Sequence, residues 1–108
     1  MTTPTTAGPG AARIEDVVRA RREEILQIAE RHGARNVRLF GSVARGDAGP
    51  DSDVDLLVDV GERRSSWFPA GLVGDLEDLL GRRVDVVSGL ERVHPIVREH
   101  ILRDAVPL

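Results

Sequence analysis

The run Asp53-Val-Asp-Leu-Leu-Val-Asp-Val60 constrains the fold more than any other stretch of the chain. In an extended strand Val54, Leu56, Val58 and Val60 fall on one face, with Asp53, Asp55, Leu57 and Asp59 on the other. A strand this apolar belongs inside a sheet. Carboxylates on its second face then need a partner, because an unpaired buried charge is costly or neutralises itself. Asp53 and Asp55 leave the same side, about 6.6 Å apart at their Cα atoms. A third aspartate, Asp85, is enclosed in another apolar run between Val84 and Val86. If the two strands are neighbours, Asp53, Asp55 and Asp85 share a face, and a bound metal supplies the missing positive charge. An Asp-x-Asp alone is equally compatible with a strand whose aspartates face water; the apolar setting of both strands favours the cluster.

Neighbouring carboxylates can share two divalent ions held roughly 3.5–4 Å apart. Oxygen ligands favour Mg²⁺, with Mn²⁺ as the alternative, over zinc. The chain has no cysteine, and His32, His94 and His100 lie on or beside helical patterns far from the aspartates in sequence. Asp59 has the parity of Asp55 but stands at the far end of its strand, outside the expected cluster.

One strand earlier is Gly41-Ser42, separated from Asp53 by the ten residues Val43 to Ser52. Gly41 lets the backbone approach a ligand closely, and Ser42 offers a hydroxyl as well as its N–H. A helical turn over Val43–Arg45 would aim free N–H groups at an anion. Arg45 is the cation available for a β- or γ-phosphate or for pinning the loop. A phosphate-sized turn beside paired carboxylates points to the handling of a metal-bound nucleotide.

The rest of the chain supports one α/β (α+β) domain over residues 12–108, after a Thr/Pro/Gly-rich tail, residues 1–11, that reads as disordered. Ile14, Val17, Val18, Ile25, Ile28 and Ala29 predict one amphipathic helix to about His32, closed by Gly33. A short strand, Asn36–Phe40, precedes the Gly-Ser turn, and Gly46 to Ser52 is loop chemistry. A second helix is predicted over Trp67–Leu80, with Pro69 in its first turn and Gly81 as its stop. Arg83–Ser88 reads as a strand. A last helix opens at Pro95, with Ile96, Val97, Ile101, Leu102 and Ala105 as its apolar face. The expected architecture is a mixed three- to four-stranded sheet flanked by helices.

Composition removes several function classes. Formal net charge is −3 and every basic side chain is arginine. A mildly acidic domain with only the short doublets Arg63-Arg64 and Arg82-Arg83 is not expected to bind nucleic acid directly. No apolar run reaches the roughly 20 residues a membrane span needs. Without cysteine, a cytoplasmic home is the expectation.

Gly41-Ser42, ten residues, Asp53-Val54-Asp55 and then Asp85 on a following strand resemble the minimal nucleotidyltransferase antitoxin family of the DNA polymerase β-like superfamily. The longer wording Gly41-Ser-Val-Ala-Arg-Gly-Asp47 and Ser52-Asp-Val-Asp-Leu-Leu-Val58 is also similar to that family, and the likeness spans about residues 14–107. The resemblance implies the polymerase β-like fold. It implies two Mg²⁺ ions on Asp53 and Asp55, with Asp85 as a further ligand or general base, and ATP held at Gly41, Ser42 and Arg45. It also implies a partner, a HEPN-domain RNase toxin, bound in a complex and modified by transfer of AMP to a tyrosine. Two other readings stay open: an antitoxin that masks its toxin by contact alone, and a small-molecule nucleotidyltransferase whose substrate-binding half is a separate chain.

Overall fold

The structure, a computed structural model, describes residues 13–49, 51–62 and 68–108. The expected tail, the Arg63-Arg64 doublet and Trp67 lie outside the described residues. The elements in order are α1 (Ile14–Ala20), α2 (Arg22–Arg31), β1 (Ala34–Phe40), α3 (Gly41–Arg45), β2 (Val54–Val60), α4 (Ala70–Leu80), β3 (Val84–Val87), a 3₁₀ turn (Leu90–Arg92), α5 (Pro95–Asp104) and β4 (Val106–Pro107). The strands form one mixed sheet in the order β3-β2-β1-β4. β1 runs antiparallel to β2 and β4, and β2 runs parallel to β3. This is the mixed α/β sheet expected from the sequence, at the upper end of the three to four strands anticipated.

One face of the sheet carries the core. Val37 and Leu39 of β1, Val54, Leu56 and Val58 of β2, and Val84 of β3 pack with Ile25, Ile28 and Ala29 of α2 and Leu72 and Leu76 of α4. Leu39, Leu56 and Leu72 are fully buried, each stabilising the fold by about 1.5–3 kcal/mol relative to exposure. The opposite face carries Asp55, Leu57 and Asp59. Leu57 is buried as well, outside the main cluster, and with Ser88–Arg92 it lines a cavity of about 290 Å³.

Several boundaries differ from the sequence reading. The single first helix is two, broken at Arg21 (φ −102°, ψ 17°). The break lets α1 pack on α3 while α2 packs on β1 and α4, and it leaves Val17 exposed. α4 begins at Ala70 rather than Trp67, with Pro69 as its N-cap after a cis Phe68–Pro69 bond; a residue before proline is disfavoured in the helical region. Gly81 closes α4 in the left-handed conformation, as expected. β4 was not expected, since its two residues carry no pattern. In α5 only Ile101 is buried, while Ile96, Val97 and Leu102 are exposed, so the predicted apolar face is mostly uncovered.

β1 starts at Ala34 rather than Asn36, and it contains a bulge. Arg35 pairs with Asp59 but Arg38 pairs with Leu57, so β1 spends one extra residue there, with Asn36 at φ 52°. Asp59 grips both sides of the irregularity: Asn36 Nδ2 donates to Oδ2 at 2.9 Å and Arg38 Nη2 to Oδ1 at 2.8 Å.

Candidate active site

The parallel register of β2 and β3 sets Asp55 directly beside Asp85. Partners in a parallel pair point to the same face, so the two carboxylates flank each other on the side away from the main core. Asp53 precedes β2 with the same parity. Its strand entry is fixed by Val54 N–H donating to Arg83 O at 3.0 Å. The start of β3 is fixed by Val84 N–H donating to Glu77 Oε2 at 3.1 Å. The three aspartates singled out from sequence therefore converge on one end of the sheet.

The Gly-Ser turn meets them there. Phe40, the last residue of β1, pairs with Asp55, which places Gly41 against the Asp55 side chain. Gly41 has φ +75°, and a Cβ at this position would fall on the Asp55 carboxylate. Glycine is thus required twice, for its backbone conformation and for the space its missing side chain leaves. The turn continues as α3, which has no side-chain cap at its N-terminus and closes on Gly46 in the left-handed conformation. Asp47 N–H donates to Ser42 O at 3.1 Å, tightening the exit. Ser42 is partly buried at the start of α3.

Asp55 is partly buried, and no hydrogen bond or ion pair engages its carboxylate among the described residues. Its pKa is raised above the ordinary value by desolvation, then by the like charges of Asp85 and Asp53; Arg45 works in the opposite direction. A carboxylate pushed toward neutrality by two neighbouring acids is what a divalent cation would relieve. Among the described residues, however, no three acidic or histidine side chains gather closely enough to hold an ion, so the expected three-carboxylate ligand set is not assembled. Asp53 is instead paired with Arg83, Nε to Oδ1 at 3.2 Å. The donor chemistry of the Asp55–Asp85 pair fits an oxygen-liking cation, with Asp53 available once Arg83 moves.

Arg45 is not aimed freely at the turn. Its Nη1 donates to Asp104 Oδ2 at 2.7 Å and its Nε to Asp47 Oδ2 at 3.2 Å. Of the two roles expected for it, the structure displays the pinning one. These two hydrogen bonds, Asp104 first, raise its pKa. Sequence reasoning missed Asp104 because it stands 59 residues from Arg45 at a helix end with no local signal. It also missed Arg83, whose neighbour across the strands becomes visible only from the register. Ser52 has a structural task of its own: its Oγ accepts Gly49 N–H at 2.9 Å, and Arg82 donates to its carbonyl at 3.3 Å. A cleft of about 380 Å³ opens beside Asp53, lined by Ser52 and Arg82–Arg83 among others.

Comparison with known proteins identifies the family. Residues 22–107 match the family profile described as nucleotidyltransferase domain. Protein adenylyltransferase MntA of Thermococcus cleftensis is 46% identical over 74 residues, covering 68% of this chain and 72% of that protein. The provisionally named protein adenylyltransferase MJ0435 of Methanocaldococcus jannaschii is 36% identical over 85 residues, 79% of this chain and 90% of that one. A solved structure provisionally identified as a minimal nucleotidyltransferase superposes with TM-score 0.75 at 52% identity, covering 87% of this chain and 95% of that chain. A chain of a toxin–antitoxin complex crystallised with AMP-PNP superposes with TM-score 0.65 at 20% identity, over 79% of this chain and 69% of that chain, a likeness of fold.

Proposed function

The chain belongs to the nucleotidyltransferase domain family and is a nucleotidyltransferase; from that premise we propose that it transfers AMP from ATP to a tyrosine hydroxyl of a HEPN-domain RNase toxin and so acts as its antitoxin. One observation carries the reading: Asp55, paired with Asp85 across the parallel ladder, lies against Gly41 of the Gly-Ser turn. A triphosphate lying on the turn would present its α-phosphorus to the carboxylates. The names of the curated relatives support AMP as the group transferred. The toxin, the tyrosine and the use of Mg²⁺ rest on the family resemblance.

In this reading Gly41 and Ser42 bind the β- and γ-phosphates through backbone N–H groups and the Ser42 hydroxyl. Asp53 and Asp55, with Asp85, would hold two Mg²⁺ ions (Mn²⁺ could replace them) after Asp53 exchanged Arg83 for metal, and the ions would supply charge neutralisation at the polyphosphate. The acceptor hydroxyl oxygen forms a bond to the α-phosphorus, the α–β phosphoanhydride bond breaks, and pyrophosphate leaves. Asp85, which is exposed, would serve either as a further ligand or as the general base that takes the hydroxyl proton. Positioning and charge stabilisation account for the rate.

The test is to incubate the purified protein and a cognate HEPN-domain protein with ATP and Mg²⁺ and weigh the latter. Added AMP is expected, and Asp53→Asn or Asp55→Asn abolishes it; an unmodified, well-folded partner refutes the transfer. The exposed Ile96, Val97 and Leu102 of α5 favour a second reading, neutralisation by contact alone. Persistence of neutralisation in cells carrying Asp53→Asn would support that one instead.

A further inference from the structure

Asp53, Asp55 and Asp85 reach one end of the sheet, yet among the described residues only Asp53 of the three is engaged in an ion pair, with Arg83 Nε 3.2 Å from its Oδ1. The backbone prepares this pairing. Asp53 immediately precedes β2 and Arg83 immediately precedes β3, and Val54 N–H donates to Arg83 O at 3.0 Å. Val54 lies opposite Val84 and Asp55 opposite Asp85, so one step back along the same register sets Arg83 opposite Asp53. Two successive rungs on one face thus differ in kind: carboxylate beside carboxylate, then carboxylate beside guanidinium.

The contact is one that can be given up. The Arg83 side chain is 80% exposed and that of Asp53 44%, and among the described residues Asp53 is the one group that the Arg83 side chain engages. Arg82 is placed differently, its Nη1 donating to Ser52 O at 3.3 Å. Both arginines line the cleft of about 380 Å³ that opens at Asp53, so a displaced Arg83 has room to turn.

We propose that Arg83 is a positioning residue that serves as the built-in counterion of Asp53, competing with a divalent cation for that carboxylate and turning into the cleft when it is displaced. The proposal rests on the metal reading above and adds what sets the affinity of the site. Apparent affinity falls in proportion to the fraction of molecules whose Asp53 is free. A guanidinium stays charged in any ordinary buffer, so the competition is settled by the concentration of the cation and not by the protonation of Arg83.

The decisive measurement is the Mn²⁺ affinity of the full chain without nucleotide, read from the electron paramagnetic resonance signal of free Mn²⁺. Arg83→Gln and Arg83→Met tighten binding by about two- to fivefold, the range for an exposed ion pair, while Arg83→Lys, which keeps the charge, stays near wild type. A merely structural role would not yield a gain in affinity. Two comparisons separate displacement from the general effect of removing a positive charge. Arg82→Gln makes the same change of charge one residue away and moves the affinity less. In an Asp53→Asn background Arg83→Gln loses most of its effect. Unchanged or weaker Mn²⁺ binding by both Arg83→Gln and Arg83→Met, a gain matched by Arg82→Gln, or a gain that survives in full beside Asp53→Asn overturns the proposal alone. Absence of Mn²⁺ binding from wild type and Arg83→Gln alike overturns the metal reading with it.

Discussion

Gly41→Ala isolates the physics of the site in one methyl group. The residue sits at φ +75°, a region that costs an L-residue roughly 1–2 kcal/mol. The added Cβ also falls on the Asp55 carboxylate, so that side chain must move as well. The backbone term alone lowers the melting temperature by about 4–16 °C for a domain of this size. Activity suffers more than stability, since a displacement on the order of 1 Å in a reacting group costs about a hundredfold. Gly74 supplies an internal control. It lies within α4, and a Cβ there meets nothing within 4 Å, so Gly74→Ala gains about 0.5–1 kcal/mol. Two glycine-to-alanine changes in one protein thus move stability in opposite directions, read by thermal melts followed by circular dichroism, with nucleotidyl transfer measured in parallel. A Gly41→Ala protein that melts with the wild type and keeps its activity would refute the argument for close approach.

Other outcomes follow from the same structure. Asp55 has its folded-state pKa raised, by desolvation first and then by Asp85 and Asp53. Its contribution to stability is complete below the ordinary carboxylate range, about pH 4, and is lost as pH rises through the raised folded value. In metal-free buffer Asp55→Asn is therefore the more stable protein at pH 7, and the gap closes toward pH 4; parallel urea-stability curves would contradict this. Leu72→Ala, at a fully buried position of α4, costs about 2–5 kcal/mol, seen as a lower urea midpoint with an unchanged slope.

The site was legible where chemistry and period coincide. In β2 the apolar alternation and the embedded acids belong to the same residues, so strand, face and candidate ligands could be read together; the parallel register then paired Asp55 with Asp85 as that reading required. Gly81 was legible as a helix stop because a left-handed residue has a strong preference for glycine. Contacts distant in sequence were not legible. Nothing near Arg45 announces Asp104, and nothing near Asp53 announces Arg83. Leu57 shares the parity of Asp55 and so pattern alone sets it on the polar face, yet it is buried. The opposite error affects α5, whose apolar periodicity predicts burial that the fold does not provide for Ile96, Val97 and Leu102. Period shows which residues a helix groups, while the neighbouring elements decide whether that group is covered.

The bulge at Asn36 works as a vernier between the two ends of β1. Continued without it from Arg35 opposite Asp59, an unbroken ladder would bring Leu39, not Phe40, opposite Asp55. Leu39 would leave the core side, and Gly41 would slide one position past the carboxylate it now clears. Asp59, which holds Asn36 and Arg38 at the far end of the strand, thereby calibrates where the candidate site begins without coming near it. A single-residue insertion or deletion between Arg35 and Arg38 would put the two halves of the site out of step.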